Sequence, residues 1–167
     1  MKESFLARIG ILHREITESI LTMLANNGLT RLDISEAPAP TCVVWRDNGG
    51  IYHEGRVAEV IVTEGRLSVR VENEGDDIIL YDPDSALANL TRLAGIRKNV
   101  FSALQELHPR LCYECGKPMT SGFCIGGGAE YFCSESCLHR NYTPVEWTEM
   151  YEDGRSDCYW TEWEEDE

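Results

Sequence analysis

Apolar residues recur at spacings of three and four over residues 4–27, where Phe5, Ile9, Leu12, Ile16, Ile20, Met23 and Leu24 fall on one face of an amphipathic helix. Ser4 stands at the cap position, and Asn26-Asn27-Gly28 supplies a stop. After the Pro38-Ala39-Pro40 break the helical period disappears and short strands follow. Thr41–Arg46 predicts the first strand, and Asp47-Asn48-Gly49-Gly50 predicts a turn because Asn and Gly tolerate positive φ. Arg56–Thr63 predicts the second strand, with Val57 to Val62 partly buried on both faces. Leu67, Val69 and Val71 then alternate with Ser68, Arg70 and Glu72, the pattern of a strand with one dry and one wet face. Asp77–Tyr81 makes a fourth strand. Connections of a few residues leave no room for parallel crossovers, so the sheet is expected to be antiparallel.

The helical period returns after Asp82-Pro83-Asp84-Ser85, which has the residue types of a helix start. A short piece around Ala86–Leu90 and a longer helix carrying Leu93, Ile96, Val100, Leu104 and Leu107 are expected, with Gly95 marking a break between them and Pro109 ending the second. Residues 1–110 therefore read as an α+β domain: a four-stranded antiparallel meander with two flanking helices able to cover its dry face.

Residues 111–167 follow a different logic. Cys112-Tyr113-Glu114-Cys115-Gly116-Lys117 is answered by Cys133-Ser134-Glu135-Ser136-Cys137, with seventeen residues between Cys115 and Cys133. Four thiolates in two such pairs match the tetrahedral donor set of a structural Zn²⁺ ion, so Cys112, Cys115, Cys133 and Cys137 are the expected ligands. The first pair suits a tight turn, with Gly116 free to take positive φ. The second suits a strand end leading into a helix capped by Ser134. Cys124 reads either as a small side chain of the intervening hairpin or as a substitute ligand. His139, two positions beyond Cys137 on a helix, is expected to point away. Four sulfur ligands leave no open coordination position, which disfavours a catalytic metal. Gly126-Gly127-Gly128 lacks the Gly-Lys-Ser/Thr ending of a phosphate loop and reads as a hairpin tip.

Cys-x-x-Cys-Gly-Lys followed by Tyr-Phe-Cys-Ser-x-x-Cys resembles the treble-clef zinc modules of the TRASH, MYM and FCS type over residues 111–142. The resemblance implies a structural zinc and a protein-binding role, with nucleic-acid binding or metal sensing in some members. The whole tail, through Tyr-Trp-Thr-Glu-Trp, is also similar to uncharacterised bacterial proteins of phage and mobile-element settings, which implies a bacterial accessory gene.

Charge sharpens the division. The chain of 167 residues has a formal net charge of −14. Residues 1–110 hold 16 acids against 12 bases, residues 111–143 hold 3 against 2, and residues 144–167 hold 10 against 1. The acidity belongs to the end of the chain. It argues against direct nucleic-acid binding, which needs clustered Lys and Arg, and it suits a protein partner with a basic surface. Thr143-Pro144-Val145-Glu146 is a capping box ahead of a short helix. Trp147, Tyr151, Tyr159, Trp160 and Trp163 stand among the acids, too many aromatics for a solvating tail. They either pack back on the fold or meet a partner. Seven cysteines, no signal-peptide core and no membrane-length apolar run suggest a cytoplasmic protein whose thiols stay reduced.

The leading expectation is thus a non-enzymatic, zinc-stabilised protein-binding module. Two alternatives stand beside it: an acidic mimic of nucleic-acid phosphates that inhibits a DNA-binding enzyme, and an enzyme using Cys or zinc chemistry. For the latter, Cys42 with His53 or His108 would be the nucleophile and base, although Cys42, at the start of an apolar strand, reads more simply as a small buried thiol.

Overall fold

The computed structural model describes residues 2–46, 48–73, 76–81, 86–155 and 157–163. The chain divides into two units, Met1–Ala103 and Leu104–Glu167. In the first unit α1 (Lys2–Asn26) ends as its sequence asks. Gly28 takes φ +66°, its N–H donates to Ala25 O at 3.0 Å, and Leu29 N–H donates to Leu24 O at 2.9 Å. That pair of bonds closes the last helical carbonyls in a Schellman motif. The inward stripe of α1 is carried by Ile20, Met23 and Leu24, all fully buried. Each such side chain contributes about 1.5–3 kcal/mol of apolar burial.

The sheet is antiparallel throughout and is organised by β3 (Tyr52–Thr63), which pairs with β4 (Arg66–Asn73) along one side. Its other side is shared by β1 (Arg31–Asp33) and β2 (Cys42–Arg46), and β5 (Asp76–Tyr81) completes the sheet beyond β4. The four expected strands are present, with β3 beginning at Tyr52 rather than Arg56. The added β1 has only three residues of mixed polarity, too few to show a period. It exists because β3 is long enough to pair with two partners in succession.

A bulge in β3 between Val57 and Glu59 explains the burial on both faces that the second strand showed in sequence. Val57 pairs with Val71 and Val60 with Val69, although Val57 and Val60 are an odd number of residues apart. The extra residue, Ala58, restores both valines to the dry face, and all three are essentially inaccessible. The same shift sends Glu59 to the other face, opposite Arg70.

The second helix, α2 (Ala86–Leu107), is continuous, so Gly95 is not a break. Gly95 is a point of close approach: a Cβ there would lie 3.0 Å from Thr41 Oγ1. One turn further on, Asn99 Nδ2 donates to Ala39 O at 3.0 Å and to Thr41 Oγ1 at 3.4 Å. These bonds tie the helix to the proline break and to the residue that follows it. The cap expected at 82–85 and the turn at 74–75 lie outside the described residues.

On the wet face Glu59 accepts two bonds from Arg31, 2.6 Å from Nε and 3.1 Å from Nη2, and a third from Arg70 Nε at 2.8 Å. The Arg31 guanidinium foremost, and Arg70 after it, hold the Glu59 carboxyl down at about 2 against the cost of its burial. A carboxylate with a depressed folded-state pKa contributes stability above its unfolded value, and that contribution fades as pH falls through the folded value. Arg31 is 62% exposed, so solvent screening reduces the effect to about 1–2 kcal/mol. Glu59→Gln is therefore expected to lose about 1–2 kcal/mol at pH 7, with the difference from wild type shrinking between pH 4.5 and 2 in urea unfolding curves.

Candidate metal centre

The second unit is built on a three-stranded sheet in the order β7-β6-β8, from Glu130–Phe132, Ser121–Ile125 and Tyr159–Glu162. Two short helices accompany it, α3 (Glu135–His139) and α4 (Pro144–Glu152). Its apolar interior is small: Cys112, Met119, Ile125, Phe132, Leu138 and Cys158 form the buried cluster. Phe132 and Leu138 lie on either side of Cys133 and Cys137, so the core and the cysteines share the same elements.

Cys112 and Cys115 sit on a knuckle. Cys112 N–H donates to Lys117 O at 2.9 Å, Gly116 N–H donates to Cys112 O at 2.8 Å, and Gly116 takes φ +70°. Tyr113 N–H donates to Tyr131 O at 2.7 Å, which fastens the knuckle to β7. Cys133 follows β7 directly, and Cys137 lies in the first turn of α3, where its N–H donates to Ser134 Oγ at 3.2 Å. The N-cap foreseen at Ser134 thus also fixes the height of Cys137. At the other end of α3, Asn141 Nδ2 donates to Glu114 Oε2 at 3.0 Å and tethers the knuckle tip.

These elements bring four Sγ atoms, of Cys112, Cys115, Cys133 and Cys137, within 4.8 Å of one another. The Cys115–Cys133 and Cys133–Cys137 sulfur separations are 3.6 and 3.8 Å. Tetrahedral ligation with metal–sulfur bonds of about 2.3 Å puts sulfurs about 3.8 Å apart, so the donor set fits a four-coordinate metal ion. Cys112 is fully buried and the other three are partly covered. The Cys115 thiol, donating to Cys112, holds the latter down at about 5, helped by the amides of Cys115, Cys133 and Glu114. Cys115 is pushed up because it is that donor and because it is covered, and burial takes Cys137 up to about 11. Backbone amides aimed at a sulfur favour its thiolate, as metal ligation requires.

Cys124 and His139 stay outside this group of four thiols. Cys124 is buried on β6, and exposed His139 meets Tyr142 O through Nδ1 at 3.1 Å. Cys158 is covered within the core cluster. In the first unit Cys42 is exposed, not buried as its apolar strand suggested. Cys42 stands opposite Arg56 and His53 opposite position 45, so Cys42 and His53 lie on opposite faces of the sheet and do not form a nucleophile–base pair.

The aromatics of the last segment divide into two sets. Trp147 packs edge-on against Phe123 at 5.3 Å, and Trp163 against Tyr131 at 5.4 Å, with the Arg110 guanidinium 4.7 Å over the Trp163 ring. Tyr151, Tyr159 and Trp160 remain 60%, 38% and 52% exposed. The tail is part of the fold: β8 pairs with β6, and Gly127 N–H donates to Asp157 O at 2.8 Å. The role of β8 had no signal in the sequence, because its alternation of Tyr159, Trp160, Thr161 and Glu162 does not separate apolar from polar positions.

No protein-family model, curated protein or solved structure matches this chain.

Gly122 is a structural requirement that the cysteine pattern does not reveal. Its φ is +151°, and a Cβ there would lie 2.5 Å from Phe132 O and collide with Met119 Cε. Gly127 also has positive φ, +68°, but nothing lies within 4 Å of its Cβ position. Gly122→Ala is expected to destabilise the second unit by about 2–4 kcal/mol, combining backbone strain with a clash. Gly127→Ala should cost about 1–2 kcal/mol from strain alone. Thermal and urea unfolding of the two variants measures the difference.

Proposed function

We propose that residues 111–167 are a zinc-stabilised, non-enzymatic protein-binding module, in which a closed tetrathiolate site holds an acidic and aromatic surface ready for a partner with a basic surface. What carries this reading is the meeting of four thiols at separations suited to tetrahedral ligation. An all-sulfur set favours Zn²⁺ among the divalent ions that seek four ligands, and four protein ligands leave no position for substrate or water. The sequence of knuckle, hairpin and helix supports a treble-clef-like module of the kind the cysteine motif resembles. A cytoplasmic, bacterial accessory setting belongs to the same reading, since free thiolates persist where disulfides do not form.

The partner side rests on the exposed aromatics. Tyr151 lies on α4, and Tyr159 and Trp160 lie on β8, in a stretch holding ten acids and one base. Aromatic rings beside carboxylates suit Arg and Lys side chains, which gain both cation–π and ionic contacts. A guanidinium already sits on such a ring within the unit, that of Arg110 on Trp163.

Elemental analysis of the purified protein is expected to give one zinc per chain. Cys133→Ser should release the metal and unfold the second unit, whereas Cys124→Ser should retain it; equal zinc loss in both would mean a different ligand set. For the surface, Tyr151→Ser combined with Trp160→Ser is expected to keep zinc and fold while losing at least ten-fold in affinity for its captured partner. Unchanged affinity would remove these aromatics from the contact.

A further inference from the structure

The two outer edges of the second unit's sheet are treated differently. In an antiparallel pair, residues alternate between those whose N–H and C=O face the partner strand and those whose groups face away. The bond from Trp163 N–H to Thr120 O at 2.8 Å, with the register Ser121↔Glu162 to Cys124↔Tyr159, sets this alternation for β8. Thr161 and Tyr159 turn their backbone groups toward β6, and Trp160 and Glu162 turn theirs outward. On the opposite edge the equivalent outward carbonyl, Tyr131 O, is taken by Tyr113 N–H at 2.7 Å. The knuckle therefore closes the β7 edge. Among the described residues no strand pairs with the outer side of β8; Glu162 O meets only the neighbouring Thr161 hydroxyl, at 3.3 Å.

Strands left at an edge are commonly guarded by Lys, Pro or a bulge. The β8 strand has none of these over Tyr159–Glu162, and both Trp160 and Glu162 are exposed. Its surroundings select the occupant. Residues 144–167 hold ten acids and one base, so pairing with an identical segment of a second copy sets like charges together. An extended segment bearing Lys and Arg meets the opposite charge, and its backbone satisfies the outward groups of Trp160 and Glu162.

We propose that the outer edge of β8 receives an extended basic peptide as a fourth, added strand, with backbone pairing at Trp160 and Glu162 and basic side chains against the flanking carboxylates and the Trp160 ring. This rests on the reading of the module as a binder of basic protein surfaces and adds the mode of capture.

The probe is a synthetic peptide alternating Lys or Arg with Thr or Val, measured by fluorescence anisotropy with the full-length, zinc-loaded protein. Binding is expected, with the Trp160 and Glu162 amides slowed at least ten-fold in hydrogen exchange. N-methylation of one of the two alternating sets of peptide amides should weaken binding more than ten-fold. Trp160→Pro, which removes an outward N–H and no bond to β6, should weaken binding at least ten-fold further than Trp160→Thr, which gives up the ring contact but keeps that N–H. Equal binding of the peptide methylated on either set, without protection at Trp160 and Glu162, would overturn strand addition yet leave the binding of basic surfaces intact. Absence of binding to any basic peptide would overturn both. A dimer in sedimentation that Trp160→Pro converts to monomer would assign the edge to a second copy and overturn the basic occupant. The exchange and N-methylation readouts are independent of how well the proline variant folds.

Discussion

Four sulfur atoms lie within 4.8 Å of one another in the second unit, and much of its local structure is arranged around that meeting. A unit of this size buries little apolar surface, and its core amounts to a few side chains around Phe132 and Leu138. The elements that carry the cysteines also have bonds of their own: the knuckle through Gly116 and its bond to β7, the helix through Ser134, the knuckle tip through Asn141. These bonds hold the knuckle, the strand end and the helix around the four thiols.

The electrostatics are consistent with this arrangement. Cys112 is held low by the Cys115 thiol and nearby amides, whereas Cys115 is raised as that donor and Cys137 by burial. In the first unit the charge of Glu59 is answered by two guanidinium groups, those of Arg31 and Arg70.

The acidic end of the chain has two physical roles that its composition does not separate. Trp147 and Trp163 cover the sheet and extend a core that would otherwise be open, while Tyr151, Tyr159 and Trp160 stay outside it. On α4, Trp147 reaches Phe123 while Tyr151, one turn on, is exposed; Trp163, just past β8, reaches Tyr131 while Tyr159 and Trp160 on the strand are exposed. The segment that supplies surface aromatics is also the third strand of the second unit's sheet, so surface and scaffold are coupled.

Much of this was legible in the chain itself. Helical spacing from Ile9 to Leu24 gave α1, period-two alternation at Leu67–Val71 gave β4, and the capping box at Thr143 and Glu146 was realised with both of its bonds. Local signals of this kind depend on neighbours a few residues apart, which is why they can be read without a fold. The grouping of the four cysteines was also foreshadowed, because pairs at such short spacings are already close within each pair. Only tertiary structure decided the rest. The shift of register at Ala58, the pairing of Arg31–Asp33 with β3, the close approach of Thr41 to Gly95, the exposure of Cys42 and the enlistment of Tyr159–Glu162 as a strand all rest on contacts between residues distant in sequence. No local period records such contacts, since the free energy that selects them exists only once the partner strand or helix is in place.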